Sequence, residues 1–321
     1  MKKRNFFTAL AMGAFLLGCE YAAVQTAPKK QLSTTRTQAA LNADELFWET
    51  LHRGNYPGIP RALDMLTAAY LENPSDAVTA AHIGWLHIWR LAERYRMATV
   101  PATITEDAVL ARRFFQEAVA LNPSEARYLG FLASAMMAEG TIHKDQKLIR
   151  QGYFRMLDAV KAWPEFNLFT AGYVMSRQPT DSERFKEGLE NFWRNMDICV
   201  NGKIDRKVIG YEKYLALETT EGVKRVCWNS WIAPHNFEGF FLSMGDMLVK
   251  SGDWQTGQKI YASAKLSSVY DKWKYRDVLE ERIRNAEANV QVFNAPESPK
   301  DRKMGRMMAN SEFACMACHL E

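Results

Sequence analysis

Small, bulky and alanine positions recur at one spacing along the middle of the chain. A small residue is followed four positions later by a bulky one, and three positions after that by Ala. The four segments with this order are Ala62/Leu66/Ala69, Ala111/Phe115/Ala118, Gly152/Met156/Ala159 and Gly257/Tyr261/Ala264. Because residues three and four apart share one face of a helix, each segment predicts a helix that packs closely against a neighbour.

Proline residues mark where three of these helices end. Pro74, Pro123 and Pro164 each follow the Ala of a segment by five positions, and proline stops a helix because it lacks an amide N–H. The pattern is similar to the second helix of a tetratricopeptide repeat (TPR). The first-helix pattern and its turn are present as Phe241, Met244, Gly245, Leu248, Gly252 and Trp254, with weaker matches at Ile83-Gly84 and Leu132-Ala133. The resemblance implies an all-α fold, an irregular TPR-like α-α superhelix over residues 44–290.

The repeats are unevenly spaced, since successive prolines are 49 and 41 residues apart against about 34 in the family. Insertions near residues 97–106 and 140–149 would account for the excess, and residues 177–235 match poorly. We therefore expect an irregular helical solenoid with a non-repetitive central part, and a plain helical bundle is the alternative. Solenoids bind peptides or proteins on a concave surface. A helix that carries His82, Trp85, His87 and Trp89 is a candidate lining of that surface.

Composition favours one sizeable folded unit, because 47% of residues are hydrophobic and nine are Trp. The net charge of +4 comes mostly from Lys2, Lys3 and Arg4. Nucleic-acid binding usually requires a concentrated basic face, so we expect no nucleic-acid partner.

The N-terminus has the pattern of an export signal, with three basic residues before an apolar stretch from Phe6 to Leu17. It ends in Leu16-Leu17-Gly18-Cys19, which resembles a bacterial lipobox. The resemblance implies cleavage after residues 1–18, a lipid on Cys19 and a tether over 19–43. It places the chain on a membrane, at the periplasmic side or cell surface, with the outer membrane favoured. An ordinary secretory signal with an incidental Cys is the alternative.

Two of the five cysteines, Cys199 and Cys227, belong to neither end of the chain. In an exported protein the simplest expectation for them is a disulfide that closes a loop of about 29 residues and stabilises the fold by roughly 3 to 4 kcal/mol. Two buried unpaired thiols are the alternative.

The chain ends in Cys315-Met316-Ala317-Cys318-His319, the C-x-x-C-H form typical of c-type haem attachment. On one helical turn both sulfurs can reach the porphyrin vinyl groups while the imidazole reaches iron. The resemblance to c-type cytochromes implies one covalent haem c in a tail over 291–321. A redox-active dithiol, a zinc site that recruits His143 or His235, and a terminal disulfide are the alternatives.

The sixth iron ligand is open at this stage. Met304, Met307 and Met308 lie close before the attachment sequence, and one of them would give the Met/His coordination of electron-transfer cytochromes. The lower-ranked candidates are His82, His87, His143 and His235.

These features predict a membrane-anchored monohaem electron carrier whose helical domain docks a protein partner. A non-redox lipoprotein scaffold that binds proteins or peptides is the alternative, and a haem-based gas sensor is the third possibility. We do not expect an enzyme, because no acid/base pair, nucleophile arrangement or phosphate loop has convincing spacing.

Overall fold

The computed structural model describes residues 20–296 and 306–321, and helices form the regular structure of this part, with no strand in it. The predicted all-α class is confirmed. Residues 20–26 are helical, and from residue 38 onward the helices are α1 (Gln38–His52), α2 (Ile59–Glu72), α3 (Ala77–Ala92), α4 (Glu106–Leu121), α5 (Ala126–His143), α6 (Gln146–Ala162), α7 (Pro164–Met175), α8 (Glu183–Cys199), α9 (Asn236–Ser251), α10 (Trp254–Ser263), α11 (Arg276–Arg284), α12 (Ala286–Asn294) and α13 (Met316–His319). The leader, Cys19 and Met304 lie outside the described residues. In the described ranges, no helix has the length and apolarity needed to cross a bilayer.

Consecutive helices pack as pairs, namely α1–α2, α3–α4, α5–α6, α7–α8 and α9–α10. Within a pair, a bulky residue of the second helix packs directly on a small residue of the first helix. A Cβ at Gly84 of α3 would lie 2.9 Å from the ring of Phe115 in α4, and Gly245 of α9 has the same relation to Tyr261 of α10. The glycines therefore set how closely the two helices of a pair approach.

The pair α7–α8 lies partly in the region that we expected to be non-repetitive. Gly188, Phe192 and Asn195 of α8 have the same spacing as the other segments, but Asn replaces the final Ala. The Phe192 ring packs on Gly172 of α7, and the Asn195 amide donates to the carbonyl of Glu165 over 2.7 Å. The irregular part is thus shorter than predicted and begins after Cys199, where α8 ends.

One predicted insertion is present and the other is absent. Residues 93–105 between α3 and α4 form two 3-10 turns, as expected near 97–106. Between α5 and α6 the connection is only two residues, with Lys144 in the left-handed region at φ 57°. The excess length around 140–149 therefore lies in two long helices of 18 and 17 residues.

The predicted disulfide is confirmed. Cys199 at the end of α8 is bonded to Cys227, and their Cα atoms are 5.8 Å apart, within the usual range. The bond joins the residue before the irregular segment 200–235 to residue 227 within it. Residues 211–217 and 223–227 of this segment form 3-10 turns.

Candidate functional site

The C-terminal tail is held by a buried acid at the end of α3. The Glu93 Oε1 atom accepts hydrogen bonds from the backbone N–H groups of Cys315 (2.7 Å) and Met316 (3.0 Å). The other oxygen accepts from Trp89 Nε1 at 2.8 Å and lies 3.1 Å from Arg96 Nη1. Glu93 is fully buried, so these bonds satisfy a carboxyl group that burial would otherwise destabilise.

Residues near α9 hold the other side of the same turn. The Trp273 indole donates to the Ala317 carbonyl over 2.8 Å, and the His235 backbone N–H donates to the Cys318 carbonyl over 3.0 Å. Gly239 lies directly against the Cys318 sulfur, where a Cβ would collide with it. The tail is therefore fitted between α3 and α9, which are far apart in sequence.

The two thiols and the imidazole lie on one helical turn, as the sequence predicts. The backbone N–H groups of Cys318 and His319 both point to the Cys315 carbonyl, each at 3.2 Å. Neither cysteine is in a disulfide. Burial raises the pKa of the Cys315 thiol well above its ordinary value and that of Cys318 to about 12, so both are protonated thiols at neutral pH.

The His319 ring is fixed by its surroundings. Its Nδ1 atom is 2.8 Å from the Ile232 carbonyl oxygen, a geometry in which Nδ1–H donates and Nε2 keeps its lone pair. The Trp85 ring packs edge-on at 5.1 Å between centroids. Burial lowers the pKa of His319 to about 4, so the imidazole is neutral and its Nε2 atom is free to ligate a metal.

Cys315, Cys318 and His319 all line a cavity of about 1250 Å³. Ligand pockets are commonly 300–1,000 Å³, so this one has room for a large cofactor. Its walls come from the helix pairs, the irregular segment and the tail, and they are mainly apolar. Aromatic side chains are prominent, among them Phe47, Trp48, Phe169, Tyr173 and Phe240.

The charged residues at the cavity are predominantly cationic. The arginines are Arg94, Arg127, Arg150, Arg177, Arg184 and Arg225, against the acids Asp44 and Glu165. Arg177 is near Cys315, and its Nη2 atom donates to the Ala309 carbonyl over 2.5 Å. The cavity thus combines apolar walls with groups that bind carboxylates.

The candidate methionine ligands have different positions. Met307 is buried in the hydrophobic core and is not part of the cavity wall, whereas Met308 is buried and reaches that wall. The Met308 backbone N–H donates to Asp246 Oδ2 over 2.6 Å. Met304 lies outside the described residues. Of the two candidates that the structure describes, Met308 lies at the cavity wall and Met307 does not.

The histidines also separate into two groups. His82 reaches the cavity wall, but His87 is buried against Asp107, with Nδ1 2.7 Å from the carboxylate. His235 Nδ1 is 3.0 Å from Glu238, and His143 is exposed. Within residues 20–296 and 306–321, no group of three or more His, Cys, Asp or Glu side chains is arranged to hold a metal ion. On α3, His82 and Trp85 line the cavity, whereas His87 and Trp89 are buried.

Sequence reasoning missed the residues that hold the tail. Glu93, Trp273 and Gly239 follow no pattern related to the attachment sequence, and 222 residues separate Glu93 from Cys315. The nearest signal is Trp89, one helical turn before Glu93. A buried indole commonly needs an acceptor.

No protein-family model matches this chain, and neither a curated protein nor a solved structure is similar to it at a significant level.

Proposed function

We propose that this chain is a membrane-anchored monohaem c-type cytochrome lipoprotein that transfers electrons. The observation that supports this most directly is the position of Cys315, Cys318 and His319, which line the large cavity from a single helical turn. A haem attached there would lie among the walls of the cavity and not in solvent.

The donor set fits haem c. The two protonated thiols would each add across one vinyl group, so that sulfur bonds to one carbon and the thiol hydrogen ends on the other. His319 presents a neutral Nε2 as an axial ligand, with Nδ1 held by the Ile232 carbonyl, which fixes ring orientation in metal-ligating histidines. Cavity arginines such as Arg177 suit the haem carboxylates. When bound, the cofactor supplies a one-electron Fe(III)/Fe(II) couple.

We further propose that the helix pairs form an irregular TPR-like superhelix. The pairing of consecutive helices and the small-against-bulky contacts at Gly84 and Gly245 support this. In this arrangement the inner surface encloses the cofactor, and the remaining surface docks a redox partner protein. Apolar walls around the cofactor exclude water and thereby favour electron transfer over side reactions.

The proposed location is the periplasmic side of a membrane or the cell surface, with a lipid on Cys19. The disulfide Cys199–Cys227 supports an oxidising compartment. Fatty-acid labelling tests the anchor. We expect the label and membrane association to be lost in Cys19→Ala, and a Cys19→Ala chain that stays labelled would contradict the lipid assignment.

The central experiment is a denaturing gel stained for haem peroxidase activity, on protein made with the c-type maturation machinery. We expect wild type to stain and the double variant Cys315→Ala/Cys318→Ala not to stain. The matched control is Cys199→Ala/Cys227→Ala, which removes two cysteines outside the attachment turn and should retain the stain. An unstained, colourless wild-type protein would contradict haem attachment and leave the non-redox scaffold as the better reading.

A further inference from the structure

Two histidines share the cavity. Of the six histidines in the chain, all of which lie in the described residues, His82 and His319 reach the cavity wall. Trp85 is related to both histidines. Its ring packs on the His319 ring, and the residue lies one helical turn after His82 on α3. The Phe47 ring contacts both His82 and Trp85, at 4.0 and 6.1 Å between centroids.

The His82 ring lies beside a carboxylate, as the His319 ring lies beside a carbonyl oxygen. Its Nδ1 atom lies 2.5 Å from Asp44 Oδ1, and the Asp44 carboxylate also pairs with Arg36 at 3.1 Å. Burial alone would raise the pKa of Asp44, but His82 and Arg36 lower it overall. With a carboxylate at Nδ1, the ring nitrogen left for another partner is Nε2. Carboxylate–histidine–metal is the common arrangement of metal-ligating histidines.

Packing fixes the orientation of this imidazole. The ring stacks on Phe47 with an interplanar angle of 5°, and Trp48 packs edge-on against it at 5.4 Å between centroids. An imidazole held by one carboxylate and two aromatic rings loses little entropy when it ligates iron.

We propose that His82 is the second axial ligand of the haem attached at Cys315 and Cys318, which makes the iron bis-histidine. This inference rests on the proposed haem attachment. Met308 is the competing ligand because it also reaches the cavity wall. The bond between Met308 and Asp246 is made by the Met308 backbone N–H and does not orient the sulfur, whereas a carboxylate and two aromatic rings lie against the His82 imidazole.

The proposal narrows the function. A bis-histidine iron has no open position for a diatomic gas, which favours a carrier over a gas sensor. It also predicts a lower reduction potential than Met/His coordination, because a Met ligand raises the potential. Asp44 is a positioning residue in this scheme: its carboxylate makes the imidazole a stronger donor, which stabilises the ferric state.

The first test uses matured protein that stains for covalent haem, so that failure of attachment is recognised separately. We expect wild type to be low-spin in both oxidation states, unreactive with carbon monoxide, and to have the near-infrared charge-transfer band of bis-imidazole ligation. This measurement needs no variant. A band of methionine–iron ligation, or a ferrous form that binds carbon monoxide at once, would overturn the proposal.

The second test compares variants. His82→Ala should become high-spin and bind carbon monoxide, and added imidazole should restore the low-spin spectrum. Met308→Leu and the exposed control His143→Ala should remain low-spin. The reverse pattern, with Met308→Leu high-spin and His82→Ala low-spin, assigns the ligand to Met308, and an unchanged His82→Ala spectrum equally contradicts the proposal.

The third test concerns Asp44. Asp44→Asn should stay low-spin with a higher midpoint potential than wild type. Its control is Asp76→Asn, because Asp76 also pairs with Arg36, at 2.9 Å. Equal potentials in Asp44→Asn and wild type would show that the carboxylate does not act through the ligand and would count against the assignment of His82.

Discussion

The helix pairs and the C-terminal tail are built on different physical principles. In the pairs, a glycine on one helix receives a bulky side chain from the next, as Gly84 receives Phe115. In residues 306–321, backbone groups are bound by single polar side chains that are distant in the sequence, such as Glu93 and Trp273. The pairs depend on local packing that repeats along the chain, whereas the tail combines buried side chains with specific long-range hydrogen bonds to its backbone.

This difference has a functional meaning. Packing between neighbouring helices is distributed over many contacts, and these helices form much of the cavity wall. The tail carries the reactive residues, and in addition to the packing of its side chains a small number of hydrogen bonds hold the backbone of Cys315, Met316, Ala317 and Cys318. One altered residue should therefore move the attachment turn without unfolding the helix pairs, and the predictions below test this separation.

The largest expected effect is in the helix pairs. Gly245→Ala places a Cβ inside the Tyr261 ring volume, so the two helices must separate. The gain in helix propensity of about 1 kcal/mol offsets part of the loss. We expect a net loss of about 2–3 kcal/mol in the free energy of unfolding, measured by urea denaturation.

The control for this substitution is Gly202→Ala. A Cβ at Gly202 has a single neighbour, the Val200 carbonyl oxygen at 4.0 Å, so we expect a change within about 0.5 kcal/mol. Equal midpoints for Gly245→Ala and wild type would mean that the close approach of these helices contributes little to stability.

The next effect is local to the tail. Glu93→Gln keeps the size of the side chain but replaces one acceptor oxygen with an NH₂ group, which cannot accept the bonds that Glu93 makes on both oxygens. We expect tail docking to weaken by about 2 kcal/mol. Amide hydrogen exchange at Cys315 and Met316 should then be about 30-fold faster, while exchange in α5–α6 stays unchanged.

Glu49→Gln is the matched control, because Glu49 is an exposed residue on α1 whose pairing is with Arg53, at 2.9 Å. Its tail exchange should equal that of wild type. If Glu93→Gln instead accelerates exchange uniformly along the chain, the tail and the helix pairs unfold as one unit and the distinction between them is wrong.

The sequence predicts what local spacing determines. The buried small and bulky positions, the disulfide and the single helical turn at Cys315–His319 follow from residues that are close in sequence or share one chemistry. The partners of the tail do not, because Glu93 is 222 residues away from Cys315 and has no pattern of its own. The pair α7–α8 was not predicted because Asn195 occupies the position at which the other segments have Ala.

The smallest expected effect is on stability, through the N-terminus of α3, the helix whose other end is next to Glu93. Asp76 caps α3 by accepting from the backbone N–H groups of Val78 (3.0 Å) and Thr79 (3.3 Å), and it pairs with Arg36 at 2.9 Å. Burial opposes ionisation, but hydrogen bonds from Thr79 and Arg36 outweigh it and lower the pKa of Asp76 below 3.8.

A carboxyl group whose pKa is lower in the folded state binds fewer protons there than in the unfolded chain. Its contribution is therefore complete above pH 3.8 and is lost as the pH falls through the folded-state pKa. We expect Asp76→Asn to cost about 1 kcal/mol at pH 7 and the gap to wild type to shrink only below about pH 4. Urea midpoints measured across pH 2.5–7 test this, and a gap that is constant over the whole range would mean that the charge of Asp76 does not stabilise α3.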